Sequence, residues 1–221
     1  MLSPDATCWT MIRDAAGGDP AARDRFARVY RPVVSAYLAA RWRCRPHAPD
    51  PDDAAQDLFV ECFRPGGLLA KADADRPGGF RAFLLGAART VARRHEARKR
   101  PAGQLPADLA ADDTGPAAAF DRAWARALLK EAGHVQEQRA KAIGPAADRR
   151  VQLLRLRFGD GLPIREIAAR WGEDPARLHH EYATAREEYR SALREVVAFH
   201  HPGATPGEVE RACGELLGSL G

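Results

Sequence analysis

The chain has 221 residues, room for one domain or two small ones, and its 45% hydrophobic content suffices to fill a core, which excludes wholesale disorder. Its 34 basic and 30 acidic side chains leave a net charge of +4, which permits a nucleic-acid partner without requiring one. No apolar run of signal-peptide or membrane-span length appears, so a soluble, cytoplasmic protein without membrane insertion is expected.

Residues 1–18 read as an N-terminal tail. From Asp19 to about Trp42 the sequence predicts an amphipathic helix with Phe26, Val29, Tyr30, Val33, Val34, Tyr37 and Leu38 inward. A second helix is predicted over Pro51 to Phe63, apolar at Leu58, Phe59, Cys62 and Phe63 and acidic at Asp52, Asp53, Asp57 and Glu61. After a Gly/Pro-marked connection, a third runs from Phe80 to about Arg98. Phe80, Phe83, Leu84, Ala87 and Val91 fall on one side of it and Arg89, Arg93 and Arg100 on the other. Arg94, His95, Arg98 and Lys99 crowd its end, where only Glu96 opposes them, and the result is a compact positive patch suited to phosphates.

Pro101 to about Pro116 is rich in Pro, Ala, Gly and Asp and lacks an apolar stripe, so it reads as a flexible linker. A second helical body is expected from near Ala117, opening with Phe120, Trp124, Leu128 and Leu129. The stretch from Val151 to Arg190 then organises it. Val151, Leu154 and Phe158 form an apolar helical run that meets Gly159-Asp160-Gly161. A short helix carries Ile164, Ile167, Ala168 and Trp171, and Gly172 breaks it. Asp174-Pro175 opens a longer helix with Leu178, Tyr182, Ala185 and Tyr189 in one stripe. Short helix, turn of about three residues and longer helix make a helix-turn-helix pattern, with an ordinary helical hairpin as its alternative.

A C-terminal helix from Thr205 to Leu220, with Val209, Cys213, Leu216, Leu217 and Leu220 apolar, is expected to pack back onto this body. Four helix starts share one grammar, a capping side chain before proline: Asp19-Pro20, Asp50-Pro51, Asp174-Pro175 and Thr205-Pro206. The last adds Glu208, completing a capping box. Cys8, Cys44, Cys62 and Cys213 lie far apart and read as reduced thiols. The fold class is therefore all-α: two small helical domains joined by a flexible linker, the second containing the helix-turn-helix.

In this order the chain resembles a bacterial RNA polymerase sigma factor of the extracytoplasmic-function type. Three stretches carry the resemblance: DLFVECF (Asp57 to Phe63), FRAFLLGAARTVARRHEARKR (Phe80 to Arg100) and LLRLRFGDGLPIREIAARWGEDPARLHHEYATAR (Leu153 to Arg186). The first is similar to the family's polymerase-binding helix, the second to the helix that opens and reads the minus-ten element, the third to the domain that reads the minus-thirty-five element. The resemblance implies core polymerase, through its clamp helices, and promoter DNA as partners, with an anti-sigma factor as a further one. It implies no catalysis, no cofactor, no metal and no small-molecule substrate.

Carried over residue by residue, it assigns Asp57, Leu58, Glu61 and Phe63 to polymerase binding. It assigns Arg89, Arg93, Arg94, Arg98 and Lys99, then Arg177, His179, His180, Thr184 and Arg186, to DNA. The Arg76-Pro77-Gly78-Gly79 turn would correspond to the base-capturing loop. The implied domains are residues 19–100 and 119–197, with 101–118 as linker and 198–221 as a C-terminal extension.

The chain departs from the family's pattern in places. Val60 stands where Gln is usual, Phe83 where Trp is common, and Thr90 where Asn is usual. HHEYATAREEYR carries Glu181, Glu187 and Glu188 where relatives have a run of Lys and Arg, so weak autonomous binding to duplex DNA is expected. Competing readings are a polymerase-independent regulator using the helix-turn-helix alone and a degenerate sigma-like protein that mainly binds protein partners.

Overall fold

The computed structural model of the chain describes residues 8–43, 45, 47–73, 78–99 and 113–218, and among them no strand occurs. Nine α-helices follow one another among these residues: α1 (Cys8–Gly17), α2 (Pro20–Trp42), α3 (Pro51–Phe63), α4 (Gly79–Lys99), α5 (Thr114–Ile143), α6 (Pro145–Leu154), α7 (Ile164–Trp171), α8 (Pro175–His200) and α9 (Pro206–Gly218). The contacts divide the chain into two compact units. The N-terminal unit lies within Asp5–Ala127 together with Phe199–Pro202, and the C-terminal unit within Leu128–Ala198 together with Gly203–Gly221.

The helix starts form as the sequence grammar expects. The Asp19 carboxylate accepts from the Ala22 amide at 2.6 Å, Asp50 from Asp52 at 2.8 Å, and Asp174 from Arg177 at 3.2 Å. At α9 the Thr205 hydroxyl accepts from the Glu208 amide at 3.4 Å while Glu208 accepts from the Thr205 amide at 2.7 Å, closing the capping box.

In the N-terminal unit all seven apolar positions expected of α2 are buried. Phe26 is the hub, with ring centroids 4.8 Å from Tyr30, 5.7 Å from Phe59, 5.6 Å from Phe63 and 5.8 Å from Phe80. Fully buried phenylalanines such as Phe26, Phe59 and Phe80 contribute about 1.5–3 kcal/mol each, so this cluster fixes how α3 and α4 sit on α2.

Two expectations are corrected here. Part of the tail at residues 1–18 is helix α1, whose Cys8, Met11, Ile12 and Ala15 are buried at i, i+3, i+4 and i+7. Of the expected linker, residues 101–112 lie outside the described residues, but α5 already begins at Thr114. Pro116 falls in its first turn, where a missing amide costs nothing. Phe120 and Trp124 belong to the N-terminal unit, Trp124 stacking on Tyr30 at 5.5 Å and on Phe120 at 6.1 Å. The division between units therefore falls inside α5, between Ala127 and Leu128.

The turn after α3 depends on a bare backbone. The Leu68 amide donates to Glu61 O at 2.9 Å and the Gly67 amide to Arg64 O at 2.8 Å. A Cβ on Gly67 would lie 2.2 Å from Glu61 O, so only glycine lets the chain fold back so closely.

In the C-terminal unit, Leu153, Ile164, Ile167, Ala168 and Leu178 form a buried cluster, with Leu156, Leu162, Trp171 and Tyr182 packed around it. Gly172 ends α7 in the left-handed conformation (φ 65°, ψ 33°), and the Glu173 amide reaches back to Ala168 O at 2.9 Å. The run through Phe158 differs from expectation. Residues Arg155–Gly159 form a π-helical turn, which rotates Phe158 out of the core and leaves it 68% exposed. On α9, Val209 and Cys213 are buried as expected, Leu217 is exposed, and Leu220 lies outside the described residues. No helix among the described residues is long and apolar enough to cross a membrane.

Candidate nucleic-acid interface

Helix α4 presents the basic patch. Arg93 is exposed and Arg94 half-buried, and among the described residues neither has an ion-pair partner. Glu96, the one carboxylate on this helix, does not oppose them. It turns inward, with its side chain 10% exposed, and accepts from Arg41 Nε at 2.8 Å, Arg41 Nη2 at 3.0 Å and Trp42 Nε1 at 2.8 Å. Burial pushes the Glu96 carboxyl up, but the hydrogen bonds from Arg41 and Trp42 and the charges of Arg41 and Arg45 outweigh it and hold the group below the usual carboxylate range. The Arg41 guanidinium is pushed up in turn, mainly by its bond to Glu96. A charge that lowers the net patch in the sequence is thus spent inside the fold.

The other basic residues of α4 are partly engaged. Arg89 donates to Asp113 from Nε at 2.6 Å, and Arg98 Nη1 lies 3.4 Å from Asp57 Oδ2. Lys99 donates to Ala48 O at 3.3 Å. Arg76, Pro77 and Arg100 lie outside the described residues. Of the expected loop, Gly78 and Gly79 have φ of 82° and 58°, a left-handed pair that suits glycine.

The polymerase-assigned residues of α3 separate into three kinds. Leu58, assigned to polymerase binding, is fully buried in the core of the N-terminal unit. Asp57 faces α4, with Oδ2 2.9 Å from His95 Nε2, and Glu61 pairs with Arg64 at 3.2 Å. Phe63 is half-buried beneath Arg23, whose guanidinium sits 5.4 Å above its ring. Val60 is 60% exposed. It lines a surface groove of about 560 Å³ with Gln56, Phe59, Phe63 and Arg64 of the α3 region and Ala27 and Arg31 of α2. The departure at position 60 therefore lies on the exposed face of α3.

In the C-terminal unit, Ala176, His180, Ala183, Thr184 and Glu187 are exposed along one face of α8, with Arg177 and His179 exposed beside them. Thr184 donates to His180 O at 3.2 Å. Arg186 packs 5.6 Å over the Tyr182 ring and lines an open groove of about 1080 Å³ with Phe158, Tyr189, Arg190 and Leu217.

Three glutamates of α8, Glu181, Glu187 and Glu188, have arginine partners. Glu188 accepts from Arg150 Nε at 2.9 and 3.0 Å. Glu187 accepts from Arg194 at 2.9 Å, which holds its carboxyl below the usual range. Glu181 and Glu173 flank Arg149 at 3.4 and 2.9 Å, charge against charge without hydrogen-bond angles, while the guanidinium stacks 4.8 Å over Trp171. Arg149 and Arg150 come from α6, and sequence reading had no role for either. Their signal was present as two adjacent arginines one turn before the buried Leu153.

The Cys8 and Cys62 thiols are buried and pushed up to about 12 by that burial, so both stay protonated and inert at neutral pH. Comparison with protein-family models, curated proteins and solved structures finds no match to this chain.

Proposed function

We propose that the chain is a sigma factor of the extracytoplasmic-function type, which binds core RNA polymerase and directs promoter recognition and opening without bond-making chemistry of its own. The observation that carries the reading is the order of three surfaces along one chain. An exposed contact face on α3 precedes a basic helix, and a short helix, tight turn and longer helix follow in the second unit. In this reading Val60, Gln56, Glu61 and Phe63 face the polymerase clamp. Arg93 and Arg94 take phosphates of the opened minus-ten strand, where arginines and stacked bases hold single strands. The exposed face of α8 enters the major groove upstream, with His179, His180 and Thr184 as base-edge candidates and Arg177 on the backbone.

Two features support this division of labour. Among the described residues Arg93 and Arg94 have no ion-pair partner on α4, while the carboxylate between them and the helix end is buried in an ion pair. The face of α8 is small-residued at Ala176 and Ala183, so its backbone can approach a groove closely.

Co-purification of the full chain with core polymerase, compared with Val60→Glu, tests the reading. Val60 is exposed, so the substitution leaves the fold intact, and it is expected to weaken association at least about tenfold by placing a desolvated charge in the contact. Equal retention of both proteins would contradict the assigned face, and no retention of either would contradict the reading.

A further inference from the structure

Asp113 makes a contact that the function proposed above does not use. Its Oδ1 accepts from the Tyr37 hydroxyl at 2.7 Å and from Arg41 Nη1 at 3.4 Å. Its Oδ2 accepts from Arg89 Nε at 2.6 Å, and Arg89 Nη2 lies within ion-pair distance of the same oxygen at 2.5 Å. Three side chains of α2 and α4, Tyr37, Arg41 and Arg89, thus converge on one carboxylate just before α5. Arg41 is rigidly placed: its side chain is only 6% exposed and its other nitrogens are held by Glu96. Tyr37 remains a neutral donor, its hydroxyl pushed up to about 12 by burial and then by the bond to Asp113. Arg89 and Asp113 reach solvent, with side chains 43% and 25% exposed.

We propose that Tyr37, Arg41 and Arg89 form a cradle for one backbone phosphate of single-stranded nucleic acid, and that Asp113 occupies it in the free protein as a stand-in for that phosphate. The inference rests on the nucleic-acid reading of α4. A carboxylate and a phosphodiester offer the same thing to an arginine fork, two anionic oxygens on one face. Arg89 and Arg93 lie one helical turn apart on the same side of α4, about 6 Å along the axis. A strand held at Arg93 therefore brings a neighbouring phosphate to the cradle. Exchange conserves charge in the cradle and releases Asp113 toward water. The consequence is a self-masked site. Arg89 contributes little to the first encounter with nucleic acid and engages once Asp113 has been displaced.

The test is fluorescence anisotropy of the full chain with a labelled mixed-sequence single-stranded oligodeoxynucleotide across a range of salt. Asp113→Asn keeps the shape and an acceptor for Tyr37 but removes the competing charge. It is expected to bind roughly tenfold more tightly, as one charge-assisted contact becomes available. Its salt slope should steepen by roughly 0.7, the increment for one added single-strand phosphate. Arg89→Gln is expected to be nearly silent alone and to return the Asp113→Asn protein to the wild-type affinity.

Unchanged affinity in a folded Asp113→Asn protein overturns the proposal. So does Arg89→Gln weakening the wild type as much as it weakens Asp113→Asn, because Arg89 would then never have been masked. Should Asp113→Asn fail to fold, the single Arg89→Gln variant decides by the same criterion: near silence sustains the proposal and a clear loss overturns it. Inorganic phosphate is expected to leave the melting temperature of Asp113→Asn unchanged, and saturable stabilisation by it would assign the cradle to a free anion and overturn the nucleic-acid assignment. Binding that depends on Arg93 but ignores Asp113 removes this proposal alone. Absence of binding in every variant removes it together with the reading of α4.

Discussion

Helices α4 and α8 carry charge in opposite ways. In α4 the one glutamate is drawn inward to a buried arginine, which leaves Arg93 and Arg94 outward and uncompensated among the described residues. In α8 the glutamates at 181, 187 and 188 stay near the surface, where arginines of α6 and of α8 itself pair with them. A charge count along the sequence misjudges both helices. It understates the patch on α4, because Glu96 is subtracted though its side chain is largely buried against Arg41, and it overstates the acidity of α8. What decides the field at a surface is which charges the fold has already paired.

The largest break in this comparison is Arg41→Ala, which removes the buried cation of Glu96 and leaves it only the half-exposed Arg45. It is expected to destabilise the N-terminal unit by about 3 kcal/mol, the cost of orphaning one member of a buried pair, read as a drop in the denaturant midpoint. The double variant with Glu96→Gln should recover part of that loss. Removing the close backbone approach comes next: Gly67→Ala is expected to cost about 2 kcal/mol because its Cβ meets the Glu61 carbonyl.

Acid sharpens the same point. The Glu96 carboxyl is held below its ordinary value of 4.5, so the stability it supplies is present above that pH and is lost as pH falls through the depressed folded value. Denaturant titrations below about pH 4.5 should therefore show stability falling more steeply in the wild type than in Glu96→Gln, and parallel curves would contradict the pairing. The smallest effects fall on α8. Glu188→Gln, already matched by Arg150, should change duplex affinity by less than about fivefold, since half-exposed pairs are worth ~1 kcal/mol or less. Glu187→Gln should do more, because its side chain is 60% exposed.

The helices were legible wherever local chemistry decides them. Each Asp-Pro or Thr-Pro start signals a free amide cap and a preset φ, and all four form. The α7–turn–α8 cluster followed from apolar spacing and Gly172. Helix α1 was equally legible in Cys8, Met11, Ile12 and Ala15, but its shortness hid it among tail residues. The start of α5 was hidden for a different reason. Pro116 and Gly115 read as linker composition, and only Phe120 and Trp124 stacking in the aromatic core shows why a helix persists there. Phe158 was misread because a π-helical turn changes the phase of an apolar stripe without leaving a mark in composition.

For the candidate surfaces, residue type was legible and pairing was not. Arg93, Arg94, His179 and His180 were found from their positions on helix faces. That Leu58 is core, that Asp57 faces His95, and that Asp113 sits on Arg89 depends on contacts between residues 38 and 24 positions apart in the two polar pairs. No local pattern encodes such contacts.

Run-off transcription with purified core polymerase on a promoter library measures the central claim most directly. The account predicts that the full chain directs initiation from a defined subset of promoters, and that the paired substitution of Arg93 and Arg94 by Gln abolishes opening while polymerase association persists. Transcription no different from core enzyme alone, across the library and at every salt concentration, would contradict it.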